Sequence, residues 1–192
     1  MSYVPSPKTK LVYALMSKRI SEDQFFKEFQ TTKENISSAI LDLMNRGLAE
    51  KDPDPIESAI PLMYRYGVSN RYLEQLNILA LEPWHFRHED IVFSLGKLKD
   101  PSSIPILEQT ALAKHAYLEN DEFNALGTKS VHALENIQTQ EAIEAVGRLG
   151  RTGNEVVRSR AVERLKNIRM EGETESAKAA AASLLINLDE SD

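Results

Sequence analysis

Glu155-Val-Val-Arg-Ser-Arg-Ala-Val-Glu-Arg-Leu-Lys-Asn-Ile168 sets Val157, Ala161, Leu165 and Ile168 three or four positions apart. That spacing puts the apolar side chains on one face of a helix. Arg158, Arg160, Arg164 and Lys166 fill the other faces. Two upstream stretches share the layout. Ile91-Val-Phe-Ser-Leu-Gly-Lys-Leu98 is followed by Asp100-Pro101 and then by Ile104, Ile106 and Leu107. Ser130-Val-His-Ala-Leu-Glu-Asn-Ile137 is followed by Thr139-Gln140 and then by Ala142, Ile143 and Val146. Leu95, Leu134 and Leu165 take equivalent places, 39 residues apart (95 to 134) and then 31 (134 to 165). Both offsets suit helical-pair repeats. One such pair cannot bury both of its apolar faces, so pairs must stack. Period-2 alternation is missing, which excludes a sheet. The expected fold is all-α, an α-α superhelix of stacked antiparallel helix pairs with about nine or ten helices.

Composition sets the outer limits. The 192 residues suit one domain, and 42% hydrophobic content is that of a globular chain. The expected layout is a helical lead-in over 1–30, degenerate helix pairs over 31–82, the clear repeats over 83–170, and a terminal helix with an acidic tail over 171–192. With no cysteine, thiolate metal sites, thiol nucleophiles and disulfides are excluded. No apolar run approaches the roughly 20 residues that span a bilayer. The start, Met-Ser-Tyr-Val-Pro-Ser-Pro-Lys8, lacks a secretory pattern, so a cytoplasmic location is expected. A net charge of −6 opposes broad attraction to nucleic acid and suits a basic partner, although a solvated acidic surface carries such charge equally well.

Local signals mark the helix ends. Ser21-Glu-Asp-Gln24 has capping-box spacing and opens a helix burying Phe25, Phe26 and Phe29. The next stripe is Ile36, Ile40, Leu43 and Met44, with Gly47 as its stop. Asp54-Pro55 reads as the following cap and first helical position, and Pro61 predicts a late start or a kink. Gly147, Gly150 and Gly153 read as helix punctuation.

Asp100-Pro-Ser-Ser-Ile-Pro-Ile-Leu107, Thr139-Gln-Glu-Ala-Ile-Glu-Ala-Val146 and Asn154-Glu-Val-Val-Arg-Ser-Arg-Ala-Val-Glu-Arg-Leu165 resemble HEAT repeats of the HEAT/armadillo class. The resemblance is good over 85–170 and weaker over 33–82. Such motifs specify a fold and no chemistry. The order of segments also resembles small bacterial HEAT-type immunity proteins of polymorphic toxin systems. These segments are Ile20-Ser-Glu-Asp-Gln-Phe-Phe-Lys-Glu-Phe29, Tyr72-Leu-Glu-Gln-Leu76, Trp84-His-Phe-Arg-His-Glu-Asp-Ile91 and Lys114-His-Ala-Tyr-Leu-Glu-Asn-Asp-Glu-Phe123. That resemblance implies a non-enzymatic cytosolic protein that binds and neutralises one cognate toxin, often a nuclease, as a monomer in a 1:1 complex.

Three stretches are candidate sites. Trp84, His85, His88, Glu89 and Asp90 bring binding anchors together. On a helix His85, His88 and Glu89 would share a face at passable metal-ligand spacing. The same stretch also reads as Trp84 and Phe86 entering the core while His88 to Asp90 cap a helix. Tyr117, Glu119, Asp121 and Glu122 lie on the longest interruption inside the repeats and make a negative tip for a basic partner. The alternative is a solvated loop, with Asp121 a cap and Tyr117 and Phe123 over the core. Residues 148–169 hold seven Arg/Lys against two Glu, a local +5 that leaves −11 elsewhere. They form either a phosphate-binding face or ion pairs to the adjacent repeat. Nucleotide loops, His-Glu-x-x-His and Gly-x-Ser-x-Gly are missing, so no catalytic residue, metal or cofactor is assigned. The second helices of the pairs, roughly 101–113 and 140–150, would line the partner surface, with 84–90 and 115–123 at its edges. A general HEAT scaffold or adaptor and a nucleic-acid-binding repeat protein are the alternatives.

Overall fold

The computed structural model describes residues 3–119 and 124–189. The chain is all-α. Among the described residues there are eleven α-helices and no strand. Their contacts divide into two compact units, Met1–Gln75 with Glu82–Arg87, and Leu76–Leu81 with His88–Asp192.

The first unit contains α1 (Pro7–Met16), α2 (Glu22–Phe29), α3 (Ile36–Glu50) and α4 (Pro53–Tyr66), and α5 (Leu73–Leu79) begins in it. α1 packs on α2 and α4, and α3 on α4. Ser21 caps α2 by accepting from the Gln24 amide at 3.1 Å, but the Gln24 side chain bonds Glu28 rather than turning back, so only half of the capping box forms. α4 starts two residues earlier than Asp54-Pro55 suggested, because Asp52 takes the cap and Pro53 the first turn. Asp54 is thereby released to accept from the Tyr3 hydroxyl at 2.7 Å and the Ser6 amide at 2.8 Å, which ties the lead-in to α4. The helix continues through Pro61 to Tyr66. Gly47 does not stop α3. It lies inside that helix, where a Cβ would come within 2.6 Å of the Ile56 side chain on α4. Lys51, with φ 51°, ends α3 instead.

The second unit contains α6 (His88–Leu98), α7 (Ile104–Leu112), α8 (Ala125–Ile137), α9 (Gln140–Thr152), α10 (Glu155–Glu171) and α11 (Glu175–Asp189). α6, α8 and α10 touch in succession, as do α7, α9 and α11, and α8–α9 and α10–α11 pack as pairs. Leu95, Leu134 and Leu165 are all fully buried, as are Ile143 and Val146 on the second row. Each such leucine contributes roughly 1.5–3 kcal/mol on leaving water. The residues equated in the sequence therefore do the same work in three successive helices. Thr139 and Asn154 cap α9 and α10 through their side chains. Gly147 and Gly150 are interior to α9 and admit Leu184 and Leu188 of α11, leaving Gly153 alone as punctuation.

Candidate functional site

In the first unit, residues 83–87 form a turn rather than a helix. Trp84 is half-buried and donates Nε1 to Glu82 at 2.6 Å. His85 is completely buried and accepts from the Arg87 amide at Nδ1, which fixes the tautomer protonated at Nε2. Phe86 stays largely exposed against Tyr3, so it is His85 that enters the core. Arg87 reaches back to Glu57 on α4, which also accepts from the Tyr13 hydroxyl at 2.9 Å. Burial, then the hydrogen bond and charge of Glu57, push the Tyr13 hydroxyl above its ordinary pKa. α6 begins at His88. His85 is therefore off the helix, and the helical face with metal-ligand spacing does not form. Among the described residues no group of three His, Asp or Glu could hold a metal ion.

In the second unit His88 is also fully buried. Neither His85 nor His88 offers a surface contact in this conformation. Glu89 pairs with Lys129 of α8, and the Asp90 carbonyl accepts from Ser94. His88 meets the interruption between α7 and α8: its Nδ1 lies 2.8 Å from the Tyr117 hydroxyl, and its ring lies against that of His115, tilted by 34° with centroids 3.7 Å apart. His115 is 8% exposed, and neither of its ring nitrogens has a hydrogen-bond partner among the described residues. Burial pushes its pKa below the ordinary histidine value.

The same segment walls a cleft of about 650 Å³. Leu112, Lys114, His115, Leu118 and Glu119 form one side, and Asn124 and Leu126 at the start of α8 another. Asn154, Glu155 and Val156 at the start of α10 complete it. Leu112 is 47% exposed and Val156 37%, large values for apolar side chains in a packed repeat. Tyr117, 37% exposed, sits beside the cleft through its contact with His115. Of the expected negative tip, Glu119 lines the cleft, while Asp121 and Glu122 lie outside the described residues. The sequence did not place Leu112, Asn154, Glu155 or Val156 at a binding site. The capping signal at Asn154 was legible, but nothing local says that the start of α10 faces the end of α7.

The basic segment divides in two. Arg148 forks onto Glu108 of α7 at 2.7 and 2.8 Å, Arg164 lies 3.6 Å from Glu135 of α8, and Arg160 pairs with Glu163. Arg158, Lys166 and Arg169 are exposed on α10, with no ion pair among the described residues. In the first group Arg148 and Arg164 tie neighbouring helices together, as inter-repeat pairing would, while the Arg160–Glu163 pair lies within α10. The second is a solvated basic stripe.

No protein-family model matches the chain, and neither a curated protein nor a solved structure matches it.

Proposed function

We propose that this chain is a non-enzymatic protein-binding helical-repeat module that takes a segment of a basic partner into the cleft between Leu112, Glu119 and Val156. The observation that carries the reading is the pairing of exposed apolar side chains with carboxylates on one concave surface. Leu112 and Val156 stand on the same cleft as Glu119 and Glu155. Apolar anchors supply contact energy, and a charged rim supplies steering and register. The volume of about 650 Å³ fits a few partner side chains, and the chain's −6 charge favours approach of a basic surface. The resemblance to HEAT-type immunity proteins supplies the partner: a toxin domain, neutralised when its active surface is covered.

The test is co-expression with the toxin domain encoded beside this chain. Protection and co-purification are expected. Both should be lost in Leu112→Asp/Val156→Asp, while the melting temperature changes by only a few degrees. A chain that neither binds nor protects ends the immunity reading. Binding to an unrelated partner through the same cleft would leave the scaffold alternative standing.

A second reading draws on Arg158, Lys166 and Arg169 of α10, exposed and without an ion pair among the described residues. Nucleic acid bound there would be released steeply by salt and lost on Arg158→Glu/Lys166→Glu. The −6 overall charge makes this the weaker proposal.

A further inference from the structure

We infer that His115 is a pH-sensitive latch on the cleft wall: when its ring takes a proton from solvent, its close contact with the His88 ring breaks and residues 113–119 come free. This rests on the cleft reading above, because the segment released is the one that shapes the cleft. A neutral imidazole carries one N–H donor and one acceptor. Both nitrogens of His115 are enclosed without a partner among the described residues. An unsatisfied buried polar group already weighs against the closed arrangement, and a buried unpaired charge weighs far more.

The surroundings offer the cation no relief while the ring stays in place. On its own segment are Lys114, Tyr117 and Glu119. α6 brings His88, whose Nδ1 is engaged with the Tyr117 hydroxyl. α10 brings Glu155, and α8 brings the uncharged Asn124 and Leu126. Burial alone sets the direction of the His115 titration, with no charge among these contributing. A second imidazole 3.7 Å away cannot stabilise a cationic neighbour as a carboxylate would. Glu119 and Glu155 line the adjoining cleft, so a ring that swings out gains both water and negative charge. The backbone it carries is light. Residues 116–118 form a single 3-10 turn, in which the Leu118 amide donates to the His115 carbonyl at 2.9 Å. Tyr117 would leave with it, giving up its 2.8 Å bond to His88 of α6.

The experiment uses the full chain without a partner. Histidine Cε1–H signals are followed by NMR from pH 8 to 5, with His115 assigned by its disappearance in His115→Phe. Backbone hydrogen exchange is measured at pH 7.5 and 5.5, corrected for the intrinsic pH effect. His115 should titrate below 6.5, the ordinary histidine value. Exchange in 113–119 should rise at least tenfold at pH 5.5, while the interiors of α8 and α10 hold. His115→Phe keeps a planar ring that cannot be charged and should abolish the rise, and His115→Gln serves the same purpose if the phenylalanine does not fit. Titration at or above 6.5, unchanged exchange, or an equal rise in the uncharged variant overturns the latch. Because no partner is present, failure of the latch is distinct from failure of the cleft variants to lose binding.

Discussion

Arg87 delivers both Nε and Nη2 to a single oxygen of Glu57, at 3.0 and 2.6 Å, and so ties the turn at 83–87 to α4. Glu57 is 6% exposed and accepts from Tyr13 as well, so the carboxylate depends on these donors. Arg87→Ala should cost about 2–3 kcal/mol, somewhat below the range for breaking a fully buried pair because the guanidinium is partly solvated. Replacing both residues by apolar ones should cost less than Arg87→Ala alone. Urea denaturation of the single and double variants checks the order, and a double variant worse than Arg87→Ala would refute it.

Gly96 allows α6 and α8 to approach. A Cβ there would lie 2.9 Å from the Ala133 Cα and 3.0 Å from its Cβ. Backbone cannot rotate away as a flexible side chain can. Alanine in a helix interior ordinarily stabilises by about 0.8–1 kcal/mol over glycine. Overpacking costs about 1–3 kcal/mol and should win. Gly96→Ala is expected to lower the melting temperature, and Gly96→Val to lower it further.

Lys51 ends α3 with φ 51°, the left-handed region where a side chain costs about 1–2 kcal/mol relative to glycine in the same conformation. Glycine at that position should relieve the strain, offset in part by the added freedom of the unfolded chain. Lys51→Gly should raise stability by about 0.5–1 kcal/mol, read from the denaturation midpoint at constant m-value. A loss of stability would mean that the lysine side chain contributes something its geometry does not reveal.

Acid should weaken the fold in a defined window. His115 is held below the ordinary value of 6.5 by burial, and His132 by burial first and then by Arg164 and Arg160. Both bind a proton more readily in the unfolded chain, so their contribution is complete above pH 6.5 and drains as pH falls below it. Each can steepen the loss by at most about 1.4 kcal/mol per pH unit. His115→Phe/His132→Asn should flatten the profile between pH 6.5 and 5.5. The neighbouring Glu135 is raised, first by burial, and runs the other way, since the folded state favours its protonated form. Glu22, Asp54 and Asp100 are lowered and lose their contribution only at more acid pH, below about their ordinary values near 4. Calorimetric melting across pH 8 to 5 tests the window, and an unchanged slope in the double variant contradicts it.

The repeat architecture was legible because burial repeats: Leu95, Leu134 and Leu165 mark one row whatever lies between them. The two Asp-Pro signals at 52–55 were harder, since both can open a helix and only tertiary use separates them. Asp52 caps α4, while Asp54 holds Tyr3 and Ser6. Gly47 illustrates the same limit, because a glycine after a helix and one pressed against Ile56 look alike in one dimension. At the candidate site, Tyr117 and Glu119 were visible as loop residues. The cleft they border also needs Leu112 and Val156, brought together by stacking rather than by spacing.

The succession α6–α8–α10 beside α7–α9–α11 also has a mechanical meaning. Among the described residues no packing of comparable extent joins α6 to α10 or α7 to α11. Each helix therefore feels a load only through its immediate neighbours. Pulled along its stacking direction, this unit should yield like springs in series, giving way one pair at a time while the pairs behind keep their shape.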